Sequence, residues 1–321
     1  MDELDAAILR EMFRGRMFLW GGGDPRLGTT ELASRLGVDR TTVWSRLKAW
    51  KEERFLIRQE IVPNPSLFGA GVAGGDIRVD DPRRKSQVLD ALQLVDGVLS
   101  GLDQVGPYVL LLYALESETA LNRCTRLIRQ LPNVDEVSTC IPFEPPRSEL
   151  EPTASDWRIL RAFRKSPDRP FAIVAKEAGV GARTLTRRYG ELLNANAIWS
   201  FPVLDFSHYR GAVMARFVVV LSGPGETPSL INACQRGLRQ MVWSEAVADA
   251  SPTMAADAPW VDVYCHLTSA GEVEEVHRWL LGLPFVKAVE VYFPRSWFVV
   301  TSWFDERIQH RIAVTGNRRP R

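Results

Sequence analysis

The stretch ELASRLGVDRTTVWSRLKAWKEERFLIR, residues 31–58, contains two helical patterns separated by a glycine. Its first part is apolar at helical spacing, and Gly37 then supplies the residue type that a tight turn favours. The second part places Val43 and Trp50 on one apolar stripe of a longer helix. The alternating segment LIRQEIVP at 56–63 predicts a hairpin or wing. Together these patterns predict a winged helix-turn-helix.

A second copy of this pattern follows later in the chain. LGVDRTTVWSRLKAWKEERFLI at 36–57 aligns without a gap to AGVGARTLTRRYGELLNANAIW at 178–199. Farther on, LPNVDEV at 131–137 resembles LPFVKAV at 283–289. The chain therefore consists of two copies of one unit. The segment EPPRSELEPTA at 144–154 is rich in proline and glutamate and is predicted to link them.

After each helix-turn-helix the pattern becomes strand, helix, strand, strand, helix, strand. This order is that of a ferredoxin-like sheet, which leaves one face without helices to bury against another sheet. We therefore predict an α+β fold with two winged helix-turn-helix modules, each followed by a βαββαβ domain. The internal tandem repeat is predicted to form a pseudo-dimer within the chain.

The predicted organisation has six segments. They are a first winged helix-turn-helix (1–63), a first sheet domain (64–143), the linker (144–154), a second winged helix-turn-helix (155–205), a second sheet domain (206–295) and a C-terminal extension (296–321). A glycine-rich loop at 17–28 is longer than its counterpart in the second copy. In the extension, Trp297, Phe298 and Trp303 are predicted to cover the second sheet or to form a subunit contact.

The composition is that of a folded globular protein, with 321 residues, 45% of them hydrophobic and 25% charged. It excludes a disordered chain, a coiled coil and a collagen-like fibre. No stretch approaches the ~18 apolar residues of a membrane helix. The start of the chain is acidic where a signal peptide is basic, so we expect a cytoplasmic protein without a membrane partner. Four isolated cysteines, Cys124, Cys140, Cys234 and Cys265, predict buried thiols rather than disulfides.

The predicted recognition helices present polar side chains opposite their apolar stripes. The candidate DNA-contacting residues are Arg40, Thr41, Thr42, Ser45, Arg46 and Lys48 in the first copy, and Arg183, Thr184, Thr186, Arg187 and Arg188 in the second. Residues 157–210 hold ten basic and four acidic side chains, a net charge of +6, whereas residues 1–63 carry +1. The alternative is a merely solvated face. Because both copies are basic there, we predict double-stranded DNA as a partner, bound most strongly by the second module.

Three segments together resemble the Lrp/AsnC family of transcriptional regulators: LDAAIL at 4–9, the stretch at 31–58, and VGPYVLLLYALES at 105–117. The resemblance covers nearly the whole chain twice, so the chain resembles a tandem fusion of two such subunits. It implies a sequence-specific DNA-binding regulator whose sheet domains assemble and bind a small-molecule effector. The candidate effector-binding residues are Gly106, Tyr108 and Trp260. Association of two such chains is a further expectation.

The sequence predicts no catalytic residue, no metal ligand and no cofactor, and hence a protein that is not an enzyme. The enzymatic alternative also comes from resemblance, because siroheme decarboxylases share this architecture. In that family a His-x-Tyr-Arg cluster on the second sheet strand carries much of the chemistry. His208-Tyr209-Arg210 resembles it in composition but precedes the first strand, and His266 and His277 are predicted to be structural. A non-DNA assembly protein is the third alternative.

Overall fold

A computed structural model describes residues 2–12, 29–138, 141–143, 147–165, 169–238, 242–247 and 260–316. The predicted loop at 17–28 and Cys140 lie outside these ranges. The first helix-turn-helix consists of α1 (Glu3–Met12), α2 (Thr29–Leu36) and α3 (Arg40–Glu52). Gly37 adopts a φ of 66° between α2 and α3, and Val43 and Trp50 are buried as predicted. The left-handed turn needs a residue without a Cβ, which is why the glycine separates the two helices.

The predicted wing is a single strand rather than a hairpin. Strand β1 (Leu56–Pro63) pairs antiparallel with a strand from the other helix-turn-helix module, which lies at Ile198–Leu204, and Ile61 stands opposite Ser200 in the register. The prediction of a hairpin is therefore wrong. An alternating segment indicates a strand but not its partner, and here the partner comes from the other repeat. The ribbon joins the two modules.

The first sheet domain follows the predicted order. Its elements are β2 (Gly71–Val79), α4 (Lys85–Leu92), β3 (Val98–Gln104), β4 (Tyr108–Leu115), α5 (Glu118–Arg129), β5 (Val134–Val137) and β6 (Ile141–Phe143). Helices α4 and α5 cover one face, where Val88, Leu121 and Ile128 pack on Ile77 and Leu111. Strand β6 pairs with β2 beside β5.

The second repeat has the same order. Its elements are α6 (Ala154–Lys165), α7 (Phe171–Ala178), α8 (Ala182–Asn194), β7 (Ile198–Leu204), β8 (Val213–Leu221), α9 (Thr227–Gly237), β9 (Val242–Val247), β10 (Trp260–Leu267), α10 (Ala270–Leu281) and β11 (Val286–Tyr292). Its sheet runs β11-β8-β10-β9. Gly179 takes a φ of 67° at the α7–α8 turn and so repeats the role of Gly37.

The helix-free faces of the two sheets pack against each other. Leu110 and Leu112 of β4 share one core with Met214 of β8 and Tyr264 of β10. The same core extends to Trp50 in the first helix-turn-helix. The predicted α+β class is confirmed: two helix-turn-helix modules with ferredoxin-like sheets in an internal tandem repeat.

The C-terminal extension crosses to the first repeat. Strand β12 (Pro294–Val299) pairs antiparallel with β3, which makes it the edge strand of the first sheet. Trp297 and Trp303 are buried in the shared core. This strand therefore belongs to the first sheet, and the two tryptophans lie in the core that the first sheet shares with Met214 and Tyr264 of the second. Helix α11 (Ser302–Gly316) then packs on α6. In the ranges that the structure describes, no helix combines the length and the apolarity needed to cross a membrane.

Candidate functional site

A buried polar cluster lies between the two sheets, on the helix-free face of the second. Strand β10 alternates: Val261, Val263 and Cys265 pack under the helices, which turns Asp262 and Tyr264 towards the first sheet. Three further side chains complete the cluster, namely Arg216 from β8 and, from the first sheet, Asp76 of β2 and Gln104 of β3. Both repeats therefore contribute to it.

Arg216 is the centre of this cluster. Its side chain is fully buried, and its Nε lies 3.0 Å from Oδ1 of Asp262, which is also fully buried. Its Nη1 and Nη2 donate to the two carboxylate oxygens of Asp76 at 3.0 and 3.2 Å. Nη1 also donates to Oε1 of Gln104 at 3.3 Å. Two carboxyl groups therefore compensate one buried guanidinium, as burial of a charge requires.

The burial shifts the pKa of each group at the centre. Desolvation raises the pKa of Asp262 to about 6, although Arg216 favours the carboxylate and partly offsets it. Burial alone would lower the pKa of Arg216, but Asp262 and Asp76 overcome this and raise it. Burial also raises the pKa of Tyr264, which donates to Oδ2 of Asp262 at 3.5 Å. Asp262 can therefore carry a proton near neutral pH while Arg216 stays charged.

Three half-buried aromatic rings surround the accessible end of the cluster. The guanidinium carbon of Arg216 lies 5.4 Å from the ring centroid of Tyr292 and 5.9 Å from that of Trp260. The ring of Tyr108 meets Tyr292 edge-on at 5.4 Å. The side chain of Asp76 is 23% exposed, which makes it the most accessible of the carboxyl groups here. The structure thus brings the predicted effector residues Tyr108 and Trp260 to one place.

Gly106, the third predicted effector residue, belongs to a different arrangement. Nζ of the buried Lys85 donates to the carbonyl oxygens of Gly106 and Tyr108, both at 2.7 Å, and lies 2.7 Å from Oδ1 of Asp103. Desolvation lowers the pKa of Lys85 although Asp103 favours its charged form. Gly106 itself has a φ of 85°. The lysine holds the β3–β4 turn in place, and an effector contact at Gly106 stays a prediction.

Sequence reasoning missed Arg216, Asp262, Tyr264, Asp76 and Gln104. The signal that could have found them is the aligned repeat. WVDVYCHL at 260–267 stands where the first copy has YVLLLYAL at 108–115, so Asp262 replaces Leu110 and Tyr264 replaces Leu112. Strands β2 and β8 have the same burial pattern, which places Arg216 at the position of Gly74. Buried positions that are polar in one copy and apolar or glycine in the other therefore indicate a candidate site.

The first recognition helix, α3, uses several of its predicted contact residues internally. Arg46 forms ion pairs with Asp2 and Asp5. The hydroxyl of Ser45 donates to the carbonyl of Thr42, and Nζ of Lys48 lies 3.6 Å from Glu52. Arg40 and Thr41 are exposed at the start of the helix.

The second recognition helix, α8, repeats this arrangement. Arg188 is bound to both carboxylate oxygens of the buried Asp156, with its Nε 2.7 Å from Oδ1. Arg187 pairs with Glu191, and the hydroxyl of Thr186 donates to the carbonyl of Ala182. Arg46 and Arg188 occupy the same repeat position and make the same kind of ion pair to the first helix of their module. Both therefore stabilise the module, and their contact with DNA stays a prediction.

Arg183 and Thr184 are exposed near the start of α8, as Arg40 and Thr41 are in α3. Residues 1–49 match the model of the AsnC-type helix-turn-helix domain. The first module is therefore similar to an AsnC-type helix-turn-helix domain. The resemblance to the Lrp/AsnC family is confirmed by this match.

Two solved structures are similar to the chain over nearly its whole length. The crystal structure of the siroheme decarboxylase NirDL is 13% identical, with a TM-score of 0.53 over 98% of this chain and 100% of that one. Its complex with an iron-uroporphyrin III analogue gives the same identity and TM-score over 98% and 99%. E. coli AsnC is 20% identical and covers 47% of this chain and 99% of its own, with a TM-score of 0.32. No curated protein sequence matches the chain.

One sequence-based prediction is corrected by these comparisons. The sequence predicts a protein that is not an enzyme, because it contains no familiar catalytic motif. That prediction is wrong, because the architecture shared over 98% of the chain is that of siroheme decarboxylase, an enzyme. The AsnC-type domain of the first module therefore occurs in a fold that also supports catalysis.

Proposed function

We propose that this chain is a decarboxylase with its active site between the two sheets, around Arg216. The observation that carries the proposal is the polar cluster itself. It is buried in an otherwise apolar interface, both repeats contribute polar side chains to it, and it contains a carboxyl group with a pKa of about 6. Siroheme is the first substrate to test, since the enzyme with the same whole-chain fold is named for it.

The aromatic rings suit a flat, conjugated substrate. Tyr108, Trp260 and Tyr292 offer ring faces and edges at the accessible end of the cluster, and such surfaces stack on planar molecules. Arg216 lies beneath them and anchors a substrate carboxylate in place of Asp76, its more accessible partner. One substrate carboxylate is therefore fixed by a buried cation.

Loss of CO₂ requires a poorly solvated carboxylate and a proton donor. The leaving carboxylate faces the aromatic rings, where removal from water favours cleavage of its bond to carbon. The electron pair of that bond remains on the carbon and is delocalised into the conjugated ring. Protonated Asp262 donates a proton to this carbon and regains one from water, while Tyr264 holds its carboxyl group. Carboxylate and proton thus give CO₂ and a C–H bond.

The test is a titration of the purified full chain with siroheme, followed by absorbance, and mass analysis of the recovered pigment. We expect a shifted absorption band and a product lighter by the mass of CO₂. Asp262→Asn should retain binding and lose turnover by ~100-fold or more, because it cannot donate the proton. Arg278→Gln, an exposed surface change, is the matched control. Unchanged absorbance and unaltered pigment would refute the proposal.

DNA binding is the second candidate function, favoured by the AsnC-type match at residues 1–49. Four side chains are exposed near the N-terminal ends of the two recognition helices: Arg40 and Thr41 of α3, and Arg183 and Thr184 of α8. In a helix-turn-helix this end of the recognition helix enters the major groove of double-stranded DNA. As a regulator the chain would act in the cytoplasm, and the aromatic site would serve as the effector site. A chain with both properties would couple substrate occupancy to DNA affinity.

Binding to sheared genomic DNA at two salt concentrations tests this second candidate. We expect affinity to fall steeply with salt and some fragments to survive competitor DNA. The Arg183→Ala/Arg187→Ala variant should bind more weakly and remain folded. If no fragment is retained, DNA binding is refuted and the decarboxylase is the candidate function that remains.

A further inference from the structure

Helix α11 lies outside the repeat, and one of its faces is fixed by packing. Ile308 is buried in the core of the second helix-turn-helix, and Ile312 packs at the edge of that core. Asp305 receives a hydrogen bond of 3.1 Å from Nε of Arg164, a nearly buried residue of α6. These contacts fix the side of α11 that packs against α6, so the opposite side of the helix faces away from that core.

The other face of α11 is basic. Arg307, His310, Arg311 and Val314 follow one another at the spacing of a single helix face. Together with Phe68, from the connector between β1 and β2, they line an open surface cavity of about 260 Å³. Three of these five lining side chains are basic, and none is acidic. The lining of the cavity therefore combines basic side chains with one aromatic ring.

The contacts around the cavity hold the cations in place. Nη2 of Arg311 donates to the carbonyl of Leu67 at 2.9 Å, which fixes the guanidinium beside Phe68. Arg307 is held by an ion pair with Glu116 and lies over the ring of Trp303 at 4.0 Å. His310 is exposed and makes no hydrogen bond within the ranges that the structure describes. Arg311 and His310 are thus the two groups available to a ligand.

We propose that this cavity binds a small organic anion with an apolar body. Its carboxylate pairs with Arg311 and His310, because a guanidinium offers two parallel donors to a carboxylate, and its apolar part packs on Phe68 and Val314. The volume is smaller than that of ordinary drug-sized ligand sites, which limits the occupant to a small molecule. A neighbouring cavity of 270 Å³ shares Arg311 and gives room for a longer ligand.

A ligand in this cavity would contact parts of both repeats. Phe68 belongs to the connector between the helix-turn-helix and the sheet of the first repeat, whereas α11 rests on the second helix-turn-helix. An anion bound between them would tie the two repeats together. Occupancy of this cavity would therefore raise the stability of the junction by mass action.

Calorimetric titration of the full chain with benzoate tests this site, with benzylamine and inorganic phosphate as comparisons. We expect saturable binding of one benzoate per chain, no binding of benzylamine and weaker binding of phosphate, which lacks the apolar body. Arg311→Gln should lower benzoate affinity by ~10-fold or more, since a charge-assisted hydrogen bond is lost. Arg278→Gln should leave it unchanged.

Arg311→Gln also removes the contact with Leu67, so a second variant is needed. Val314→Asp places an acid at a rim position that is 42% exposed, leaves that contact intact, and should repel benzoate to a similar extent. Unsaturable heats with benzoate, full affinity in both variants, or equal binding of benzylamine would each overturn the site. Phosphate binding as tight as that of benzoate would overturn the requirement for an apolar body.

Discussion

The two repeats use the same strand position for opposite purposes. In the first repeat the inward face of β4 presents Leu110 and Leu112, which only fill the core between the sheets. In the second repeat β10 presents Asp262 and Tyr264 there, Arg216 of β8 pairs with the carboxyl group of Asp262, and Tyr264 donates a hydrogen bond to it. Duplication within one chain lets one copy supply packing while the other acquires polar groups. In a duplicated protein, a site is found where the aligned copies differ.

The largest expected effect is the removal of the buried cation. Arg216→Leu should lower the free energy of unfolding by about 3–5 kcal/mol, because Asp262 and Asp76 lose their common partner inside the protein. Denaturant unfolding followed by circular dichroism measures this. Arg278→Leu on the exposed face of α10 is the control and should change little. An Arg216→Leu protein as stable as the wild type would contradict the central role of this cation.

Apolar side chains can replace the polar cluster on the inward face of the second sheet, as they fill the same position in the first sheet. The combined variant Arg216→Met, Asp262→Leu and Tyr264→Leu should regain most of the stability lost by Arg216→Leu, since well-packed apolar groups replace buried ion pairs at little cost. The same unfolding measurement decides this. If the free energy of unfolding does not recover, the polar cluster stabilises the fold more than apolar side chains at the same positions do.

The ion pairs of the two helix-turn-helix modules should differ in strength. Arg188 is 16% exposed and Arg46 is 37% exposed, so water screens the second of these pairs more. Arg188→Ala should cost about 2–3 kcal/mol of unfolding free energy and Arg46→Ala about 1 kcal/mol. Equal losses in denaturant unfolding would show that exposure does not distinguish the two modules.

The pH dependence of stability should report the proton on Asp262. The folded pKa is about 6 and the reference value is 3.8, so between these values the folded protein holds a proton that the unfolded chain has released. Stability should therefore fall as pH rises from about 4 to about 6, on the order of 3 kcal/mol from this group. Unfolding of wild type and Asp262→Asn over this range isolates the effect. Parallel pH profiles for the two proteins would contradict the raised pKa.

The smallest effect on stability is expected at Arg183. Its side chain is exposed on α8, so Arg183→Ala should change the free energy of unfolding by less than about 0.5 kcal/mol. If DNA is a partner, the same change should weaken binding by ~10-fold. Arg188→Ala is the internal comparison, because it should act on stability instead. A stability loss at Arg183 as large as that at Arg188 would remove the distinction between surface and structural arginines.

The local patterns of the sequence predicted most helices and strands, and failed where a choice of partner was needed. WVDVYCHL became β10 over the same residues because strict alternation leaves little choice. The partner of β1 and the destination of β12 depend on surfaces that meet only in the folded chain. The candidate site was missed for a related reason, since Asp76 and Arg216 are far apart in sequence and become neighbours only when the sheets pack.

The crossing of β12 has a consequence for how the protein is made. The first sheet is synthesised early, yet its β3 edge is closed by a strand that leaves the ribosome only after the whole second sheet has been made. Until then, the nascent chain exposes unpaired backbone groups along an apolar strand, a template for wrong pairing with other chains. Premature termination before Pro294 would leave that edge open for good. The sheet that is made first is therefore completed only after the second sheet has been synthesised.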